Sequence, residues 1–178
     1  TKEKVMETRE FIQFCKDRHD KECNQKYDGN LPYSKHLDYV FSFYLRFEHL
    51  LPIDPVIRNN VKSGVYGHDL IEDARLTYND IVDKTNKETA DIIYCCTENR
   101  GKTRDERHSE SYYKELSDNP LAIFVKLCDI LANATYSYLT NSDMYRKYQA
   151  DYQKLVRYLY RSGYEQMFME LRYILKVT

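Results

Sequence analysis

Apolar residues recur three and four positions apart along most of the chain, which is typical of helices with one buried face. In the first such segment the stripe consists of Val5, Phe11, Ile12 and Cys15. No stretch alternates apolar and polar residues for long enough to indicate a strand. The pattern therefore predicts an all-α fold, a bundle of about eight to nine helices. The predicted helices span residues 1–24, 34–49, 55–74, 77–84, 87–96, 109–116, 121–139, 143–161 and 164–176.

Turn-forming and capping residues separate these helices. Residues 24–32 contain an Asp-Gly-Asn run and a proline, which together indicate a clear break. Asp54 followed by Pro55 supplies an N-cap and a proline at the first helical position. Residues 97–107 are polar and rich in cations, and they are predicted to form a loop. Because no internal repeat and no linker is visible, residues 1–178 are predicted to form a single domain.

The composition narrows the classes of function. The 178 residues include 27 Lys and Arg against 28 Asp and Glu without a basic stripe, so a nucleic-acid polymer is not an expected partner. No apolar run reaches membrane-spanning length and no signal-peptide pattern is present, so we expect a cytoplasmic protein without membrane contact. The five cysteines are odd in number and include no Cys-x-x-Cys pair, which predicts reduced thiols and no cysteine-rich zinc site.

The segment Gly67–Ala74 concentrates one histidine and three carboxylates. If the segment is helical, the i,i+4 relation places His68 over Glu72 and Asp69 over Asp73. Three like charges on one side of a helix repel each other, and a divalent cation removes that repulsion. Imidazole together with carboxylate suits Mn, Fe, Zn or Co. The sequence therefore predicts half of a metal site here, which ligands from other helices have to complete.

Asp129 is the carboxylate best placed to complete that site. It lies in the most apolar predicted helix, residues 121–139, on the same side as Val125 and Ala132. A lone carboxylate among aliphatic side chains costs several kcal/mol unless it is paired, protonated or metal-bound. Pairing with a nearby Lys or capping of another helix is the commoner explanation for an isolated Asp. Beside a separate His-Asp half-site, metal ligation is the favoured one.

His36, near the start of the second predicted helix, is the candidate for a second imidazole. Taken alone, such a histidine is more often hydrogen-bonded or exposed than a ligand. Together with His68, Asp69 and Asp129 it makes a set of two imidazoles and two carboxylates, which leaves positions open for water or substrate. The remaining histidines have no evident partner and are interpreted as structural or exposed: His19, His49 and His108.

Three motifs in chain order contain these residues. Gly29–His36 reads Gly-Asn-Leu-Pro-Tyr-Ser-Lys-His, His68–Asp73 reads His-Asp-Leu-Ile-Glu-Asp, and Val125–Asn133 begins Val-Lys-Leu-Cys-Asp and ends in Asn. This order resembles the H…HD…D signature of the HD-domain metal-dependent phosphohydrolases. Within that superfamily the motifs resemble the hydrolase domain of RelA/SpoT-type (p)ppGpp hydrolases and small single-domain alarmone hydrolases. The corresponding family patterns are G-x-P-Y-x-x-H, here with one extra residue, H-D-x-x-E-D and V-K-L-A-D-x-x-x-N.

The resemblance implies a role for each matched residue, within an HD-domain helical bundle. It assigns the ligands of one divalent metal ion to His36, His68, Asp69 and Asp129. Mn²⁺ is the expected ion, with Fe, Co, Ni or Zn as alternatives. Glu72 and Asp73 would be the catalytic pair that positions and activates the attacking water. The residues it suggests for substrate binding are Asn133, Lys26, Lys102, Arg104, Lys147 and Tyr148.

The sequence leaves open the roles of the flanking cations and of Lys126. For each flanking cation taken singly, a solvated loop with its charge facing water is at least as good an explanation as a substrate contact. Lys126, three residues before Asp129, is equally compatible with facing the pocket and with pairing to a structural carboxylate.

The activity that the resemblance implies is removal of pyrophosphate from the 3′ position of the nucleotide (p)ppGpp by a metal-activated water. Ile130 stands where the alarmone hydrolases usually have Arg or Lys, so the identity of the substrate base stays open. The alternatives are an HD phosphohydrolase acting on a nucleoside monophosphate or NADPH, and a module that senses a nucleotide without cleaving it. The intact Glu72 and Asp73 argue against the sensor. The sequence does not indicate an oligomeric state.

Overall fold

The computed structural model describes residues 5–98 and 102–178, and the fold is all-α, as the hydrophobic pattern predicts. In this described part, nine helices have seven or more residues and correspond to the nine predicted segments, and two further helices are single turns. The helices are Thr8–Asp17 (α1), Tyr33–Phe47 (α2), Pro55–Gly67 (α3), Leu70–Asp73 (α4), Tyr78–Lys84 (α5), Lys87–Cys96 (α6), Arg104–Arg107 (α7), Glu110–Ser117 (α8), Pro120–Leu139 (α9), Met144–Leu159 (α10) and Glu165–Leu175 (α11).

Helix α9 lies at the centre of the bundle. It packs against α2, α3, α6, α8, α10 and α11, and its residues 122–132 are all buried. The helix starts at a cap in which the Asn119 side chain accepts a hydrogen bond from the backbone N–H of Ala122, at 3.1 Å, with proline in the first helical position. Because α9 is covered on all sides, it carries Lys126 and Asp129 into the interior of the fold.

Two glycines in α3 allow that helix to approach α6 closely. A Cβ atom at Gly64 would lie 2.6 Å from Ile92 Cγ2, and one at Gly67 would lie 2.5 Å from Ile93 Cδ1. Both distances are too short for two carbon atoms, so a larger residue would push the helices apart. The close approach holds the end of α3, and with it His68, against the core.

The chain around the predicted half-site is not one continuous helix. The prediction of a helix over residues 55–74 is wrong in one respect, because α3 ends at Gly67 and a turn of two residues precedes α4. Asp69 has φ −103° and ψ 4°, outside the helical range. The His68 side chain closes the turn, since its Nδ1 donates to the Val65 carbonyl at 2.7 Å.

Three other segments differ locally from the prediction. The α-helical part of the first helix ends at Asp17 and continues as a π-helical turn, Arg18–Glu22, while residues 1–4 of that prediction lie outside the described residues. A two-stranded antiparallel ribbon, too short for an alternation to show in sequence, pairs Lys26–Tyr27 (β1) with Leu31–Pro32 (β2). Within the predicted loop 97–107, four residues form α7 because Thr103 caps it, and positions 99–101 of that loop lie outside the described residues.

Two further predictions can be compared with the described residues. All five cysteines are present there as free thiols, as predicted. None of the helices in 5–98 and 102–178 combines the length and the apolar character needed to cross a bilayer.

Candidate metal centre and pocket

The four predicted metal ligands meet in one place. His36 comes from α2, His68 and Asp69 from the turn after α3, and Asp129 from α9. Both imidazoles are 2% exposed and Asp129 is 7% exposed, so three of the four side chains are withdrawn from solvent. Ligand atoms of His36, His68 and Asp69 lie within 4.8 Å of one another. The structure thus brings together residues that are up to 93 positions apart in the chain.

The distances within this cluster fit one metal ion. His68 Nε2 lies 2.9 Å from Asp69 Oδ2 and 3.5 Å from Asp129 Oδ1. His36 Nε2 lies 3.3 Å from Asp129 Oδ1 and 4.0 Å from Asp69 Oδ2. Ligand atoms about 2.1 Å from a common ion are roughly 3.0 to 3.4 Å apart when adjacent and about 4.2 Å apart when opposite. The observed distances cover this range, so the His/Asp cluster fits a divalent metal site.

The protonation of His68 also favours a cation at this place. A carbonyl oxygen only accepts hydrogen bonds, so Nδ1 of His68, 2.7 Å from the Val65 carbonyl, carries a hydrogen. Nε2 then faces two carboxylates. Burial raises the pKa of Asp69 and of Asp129, but the positive charge of protonated His68 outweighs burial and holds both pKa values below the ordinary range. Burial lowers the pKa of His68, but the two carboxylates outweigh it and hold that pKa well above its ordinary value, so the site already holds a proton on Nε2, whose place a metal ion would take. Two ionised carboxylates and two ring nitrogens make a donor set that a divalent cation neutralises.

Neighbouring side chains hold the ligands in place. The Tyr33 hydroxyl donates to Asp69 Oδ2. Asn133 Nδ2 donates to Asp129 Oδ1 at 2.6 Å, and the Tyr27 hydroxyl donates to Asn133 Oδ1 at 2.7 Å. Such supporting hydrogen bonds orient metal ligands and tune their basicity. Tyr27 also stacks on the His36 ring, with centroids 4.6 Å apart and an interplanar angle of 14°.

Glu72 and Asp73 lie in the single turn α4, directly after the ligand pair, and both line the pocket. Burial, followed by the charge of Asp69, raises the pKa of Glu72 to about 7. The backbone N–H of Glu98 donates to Glu72 Oε2 at 3.1 Å and fixes that carboxylate. Glu72 therefore combines a defined position with a pKa near neutrality.

A chain of alternating charges crosses the pocket, and only part of it was predicted. Lys126 is 8% exposed and pairs with Glu98, with its Nζ also 3.5 Å from Asp129 Oδ2. Glu98 Oε2 lies 2.7 Å from His108 Nε2. The sequence left two orientations for Lys126, and the structure shows both, since the amine faces the pocket and pairs with a carboxylate.

The second half of the chain of charges reaches a predicted substrate residue. His108 Nδ1 lies 3.6 Å from Asp151 Oδ2, and Asp151 accepts two hydrogen bonds from Arg104, at 2.6 and 3.2 Å. The sequence shows no partner for His108 and left it as structural or exposed, whereas the structure buries its side chain and places it between two carboxylates of the pocket. Its partners come from residues 10 and 43 positions away, and no local pattern in the sequence pairs them.

The structure divides the predicted substrate residues into two groups. Asn133, Arg104 and Tyr148 line the pocket, and the Arg104 guanidinium lies 5.5 Å from the centroid of the Tyr148 ring. Asn133 is already engaged, since its amide bridges Tyr27 and Asp129. The side chains outside the pocket lining, all of them exposed, are Lys26, Lys102 and Lys147.

Addition of Mn²⁺ to the metal-free protein is expected to raise its Tm. An ion that binds only the folded state stabilises it by about 2.7 kcal/mol at a hundredfold excess over Kd. Asp129→Asn is expected to remove most of the shift in a thermal denaturation experiment. Asp151→Asn, which changes a carboxylate of the same pocket that contacts Arg104, is expected to keep it. Equal shifts in the wild type and in both variants would contradict the ligand role of Asp129.

Comparison with known proteins shows which fold this is. No family model and no curated protein sequence matches the chain. A solved structure does match, that of a metazoan ortholog of SpoT described as hydrolysing ppGpp and having a role in starvation responses. The match has a TM-score of 0.73 and 20% sequence identity, and it covers 99% of this chain and 97% of the other. The two chains share one fold over nearly their whole lengths.

Proposed function

We propose that this chain is a divalent-metal-dependent phosphohydrolase that releases pyrophosphate from the 3′ position of (p)ppGpp. The observation that carries the proposal is the position of Glu72, a carboxylate with a pKa of about 7, directly beside a His/Asp cluster that fits one metal ion. The shared fold with a protein described as hydrolysing ppGpp supports the choice of substrate. The free thiols of all five cysteines support a reducing compartment such as the cytoplasm.

The metal ligands in this proposal are His36, His68, Asp69 and Asp129. When bound, a divalent ion acts as a Lewis acid towards phosphoryl oxygen and lowers the pKa of water. Mn²⁺ is the ion we propose, because two imidazoles and two carboxylates suit it, although the same ligands also accept Fe, Co, Ni or Zn. The hydrogen bonds from Tyr33 to Asp69 and from Asn133 to Asp129 would hold these two carboxylates in place for the ion.

Glu72 is proposed to accept the proton of the attacking water. A general base is most effective when its pKa lies near the working pH, and burial places the pKa of Glu72 there. The water oxygen bonds to the phosphorus that carries the 3′ oxygen, and the bond between that phosphorus and the 3′ oxygen breaks. Pyrophosphate leaves, and the 3′ oxygen of GDP takes up a proton. Asp73, at the rim of the same pocket, is proposed to orient the water as a hydrogen-bond acceptor.

The scissile phosphate is proposed to lie beside the metal ligands and Glu72, and the rest of the nucleotide to contact other residues that line the same pocket. Tyr148 offers an aromatic face and Arg104 a guanidinium there, while the Asn133 amide retains one N–H for a ribose or phosphate oxygen. The exposed Lys26, Lys102 and Lys147 are proposed to contribute a diffuse positive potential around the entrance rather than fixed contacts.

The charge of the pocket favours a second candidate substrate class. Six of the described side chains that line it are carboxylates, whereas its cations are Arg104 and Lys126, which are paired with Asp151 and Glu98. This balance is less favourable for a tetraphosphate than for a nucleotide with fewer charges. A phosphate ester such as a nucleoside monophosphate or NADPH is therefore the alternative that the structure supports.

A panel of nucleotides separates the two candidates. The Mn²⁺-loaded protein is incubated with ppGpp, GMP and NADPH, and pyrophosphate and inorganic phosphate are measured separately. The proposal requires pyrophosphate and GDP from ppGpp as the fastest reaction. Release of inorganic phosphate from GMP or NADPH, with ppGpp left intact, would establish the alternative. A folded, metal-loaded protein that binds ppGpp without turnover would indicate a nucleotide sensor.

A further inference from the structure

The π-helical turn Arg18–Glu22 lies beside the pocket, although it supplies no metal ligand. The chain folds back after this turn, because the backbone N–H of Gln25 donates to the His19 carbonyl at 2.8 Å and Asn24 has a φ of 46°. π-Helical turns are rare in proteins, and those that occur are often found at functional sites. Here the turn places two polar side chains, those of His19 and Gln25, in line with Asp73.

Hydrogen bonds connect these three side chains. His19 Nδ1 lies 2.5 Å from Gln25 Oε1, and Gln25 Nε2 donates to Asp73 Oδ2 at 3.0 Å. A carboxylate only accepts hydrogen bonds, so the amide presents its NH₂ group to Asp73 and its oxygen to His19. The imidazole must then carry its hydrogen on Nδ1. The direction of every bond in the chain is thereby determined.

His19 is held rigidly at the inner end of this chain. The side chain is 0% exposed, and its ring lies 4.7 Å from the ring of Tyr33, whose hydroxyl donates to Asp69. Burial lowers the pKa of His19, which keeps the ring neutral. A neutral imidazole directs the amide of Gln25 without placing a positive charge next to Asp73. The same ring therefore contacts the support of a metal ligand and orients a residue of the water-handling pair.

Asp73 is the member of the pair that needs such support. Unlike the metal ligands it is exposed, so without a partner its carboxylate would sample several rotamers. Apart from Gln25, no other side chain among the described residues forms a hydrogen bond to it. A displacement of about 1 Å in a catalytic constellation can reduce a rate by roughly a hundredfold.

We propose that His19 and Gln25 are positioning residues that hold the Asp73 carboxylate in one orientation during hydrolysis. The proposal rests on the function proposed above and adds to it the side chains that prepare the water-handling pair. It assigns no chemical step to either residue. Their effect on the attacking water is exerted through Asp73.

Replacing the amide of Gln25 by a side chain of similar length without a donor tests the proposal. Gln25→Met is expected to lower kcat roughly ten- to a hundredfold with little change in KM, because ground-state binding does not depend on Asp73. The matched control is Gln13→Met on α1. Gln13 Nε2 donates to Asp17 at 3.0 Å in the same way, but on the outer surface, so this variant is expected to retain the wild-type kcat.

The pH dependence of the Gln25→Glu variant distinguishes positioning of Asp73 from a merely structural role. The ionised Glu side chain cannot donate to Asp73 and repels it, whereas the protonated form can donate. The rate of this variant divided by the wild-type rate is therefore expected to rise as the pH falls through the pKa of the new carboxyl group. Lost packing would lower the rate by the same factor at every pH.

Two measurements that do not use turnover complete the test. ¹⁵N-edited NMR is expected to show the His19 hydrogen on Nδ1 in the wild type and a shifted signal in Gln25→Met, and the Mn²⁺-induced Tm shift is expected to be unchanged in that variant. A His19 hydrogen on Nε2, an unchanged kcat in Gln25→Met, or a pH-independent rate ratio would overturn the positioning role alone. If the metal-loaded wild type turned over no nucleotide, this would contradict the proposed function and therefore also the positioning role of His19 and Gln25.

Discussion

Glu72→Gln is expected to lower kcat for ppGpp by roughly 10²- to 10⁴-fold, the usual contribution of a positioned general base. The substitution keeps the volume of the side chain and its acceptor for the Glu98 backbone N–H, but it removes the group that takes the proton. Because Glu72 is not among the proposed metal ligands, metal content and the Mn²⁺-induced Tm shift should remain those of the wild type. Steady-state kinetics with pyrophosphate detection measures the effect.

Glu88→Gln is the matched control for this variant. Glu88 is exposed in α6, so the same chemical change there should leave kcat unaltered. A Glu72→Gln protein that retained more than about a tenth of the wild-type kcat would rule out Glu72 as the base, because removal of a general base usually lowers the rate by at least about a hundredfold. A loss of metal in the same variant would instead indicate that Glu72 is a ligand.

Lys126→Met is expected to lower the free energy of unfolding by about 3 to 5 kcal/mol, because it removes one partner of a buried ion pair and leaves the other charged. Lys126 is 8% exposed, and the Glu98 side chain is 16% exposed. Burial lowers the pKa of Lys126, but the Glu98 carboxylate outweighs burial and holds that pKa well above its ordinary value, so both groups are ionised at neutral pH. Urea denaturation followed by circular dichroism measures the loss.

Two comparisons isolate the ion pair from the lost side chain. Lys114→Met, at an exposed position of α8, should change stability by less than about 0.5 kcal/mol. The double variant Lys126→Met/Glu98→Gln should be more stable than the sum of the single effects indicates, because it does not leave the Glu98 carboxylate charged without the Lys126 ammonium. Strict additivity would show that the two side chains do not depend on each other.

The parts of the fold and the site that could be predicted depend on local sequence. Helix α9 was predicted almost to its ends because its apolar residues recur at helical spacing and a proline stands at its start. His68 and Asp69 are neighbours in the chain, and Asp129 is conspicuous as a carboxylate in an apolar helix. The motif order added His36, whose own surroundings in the sequence are unremarkable.

Contacts between distant segments could not be predicted in this way. The pairing of Lys126 with Glu98, and of His108 with Glu98 and Asp151, depends on how α9 packs against α6 and α10 packs against α8 and α9. No helical period in the sequence encodes that packing. The π-helical turn that places His19 is a local deviation in hydrogen bonding rather than a change in hydrophobic pattern. The contact of His19 with Gln25 was therefore not visible in the sequence.

The most direct test of the central claim is one experiment on the purified protein, in which bound metal is measured by elemental analysis and the products formed from ppGpp are identified in the same sample. The proposed site predicts about one divalent ion per chain and the formation of GDP and pyrophosphate in equal amounts, both abolished in Asp129→Asn. A folded wild-type protein that holds the metal ion and leaves ppGpp intact would contradict the account.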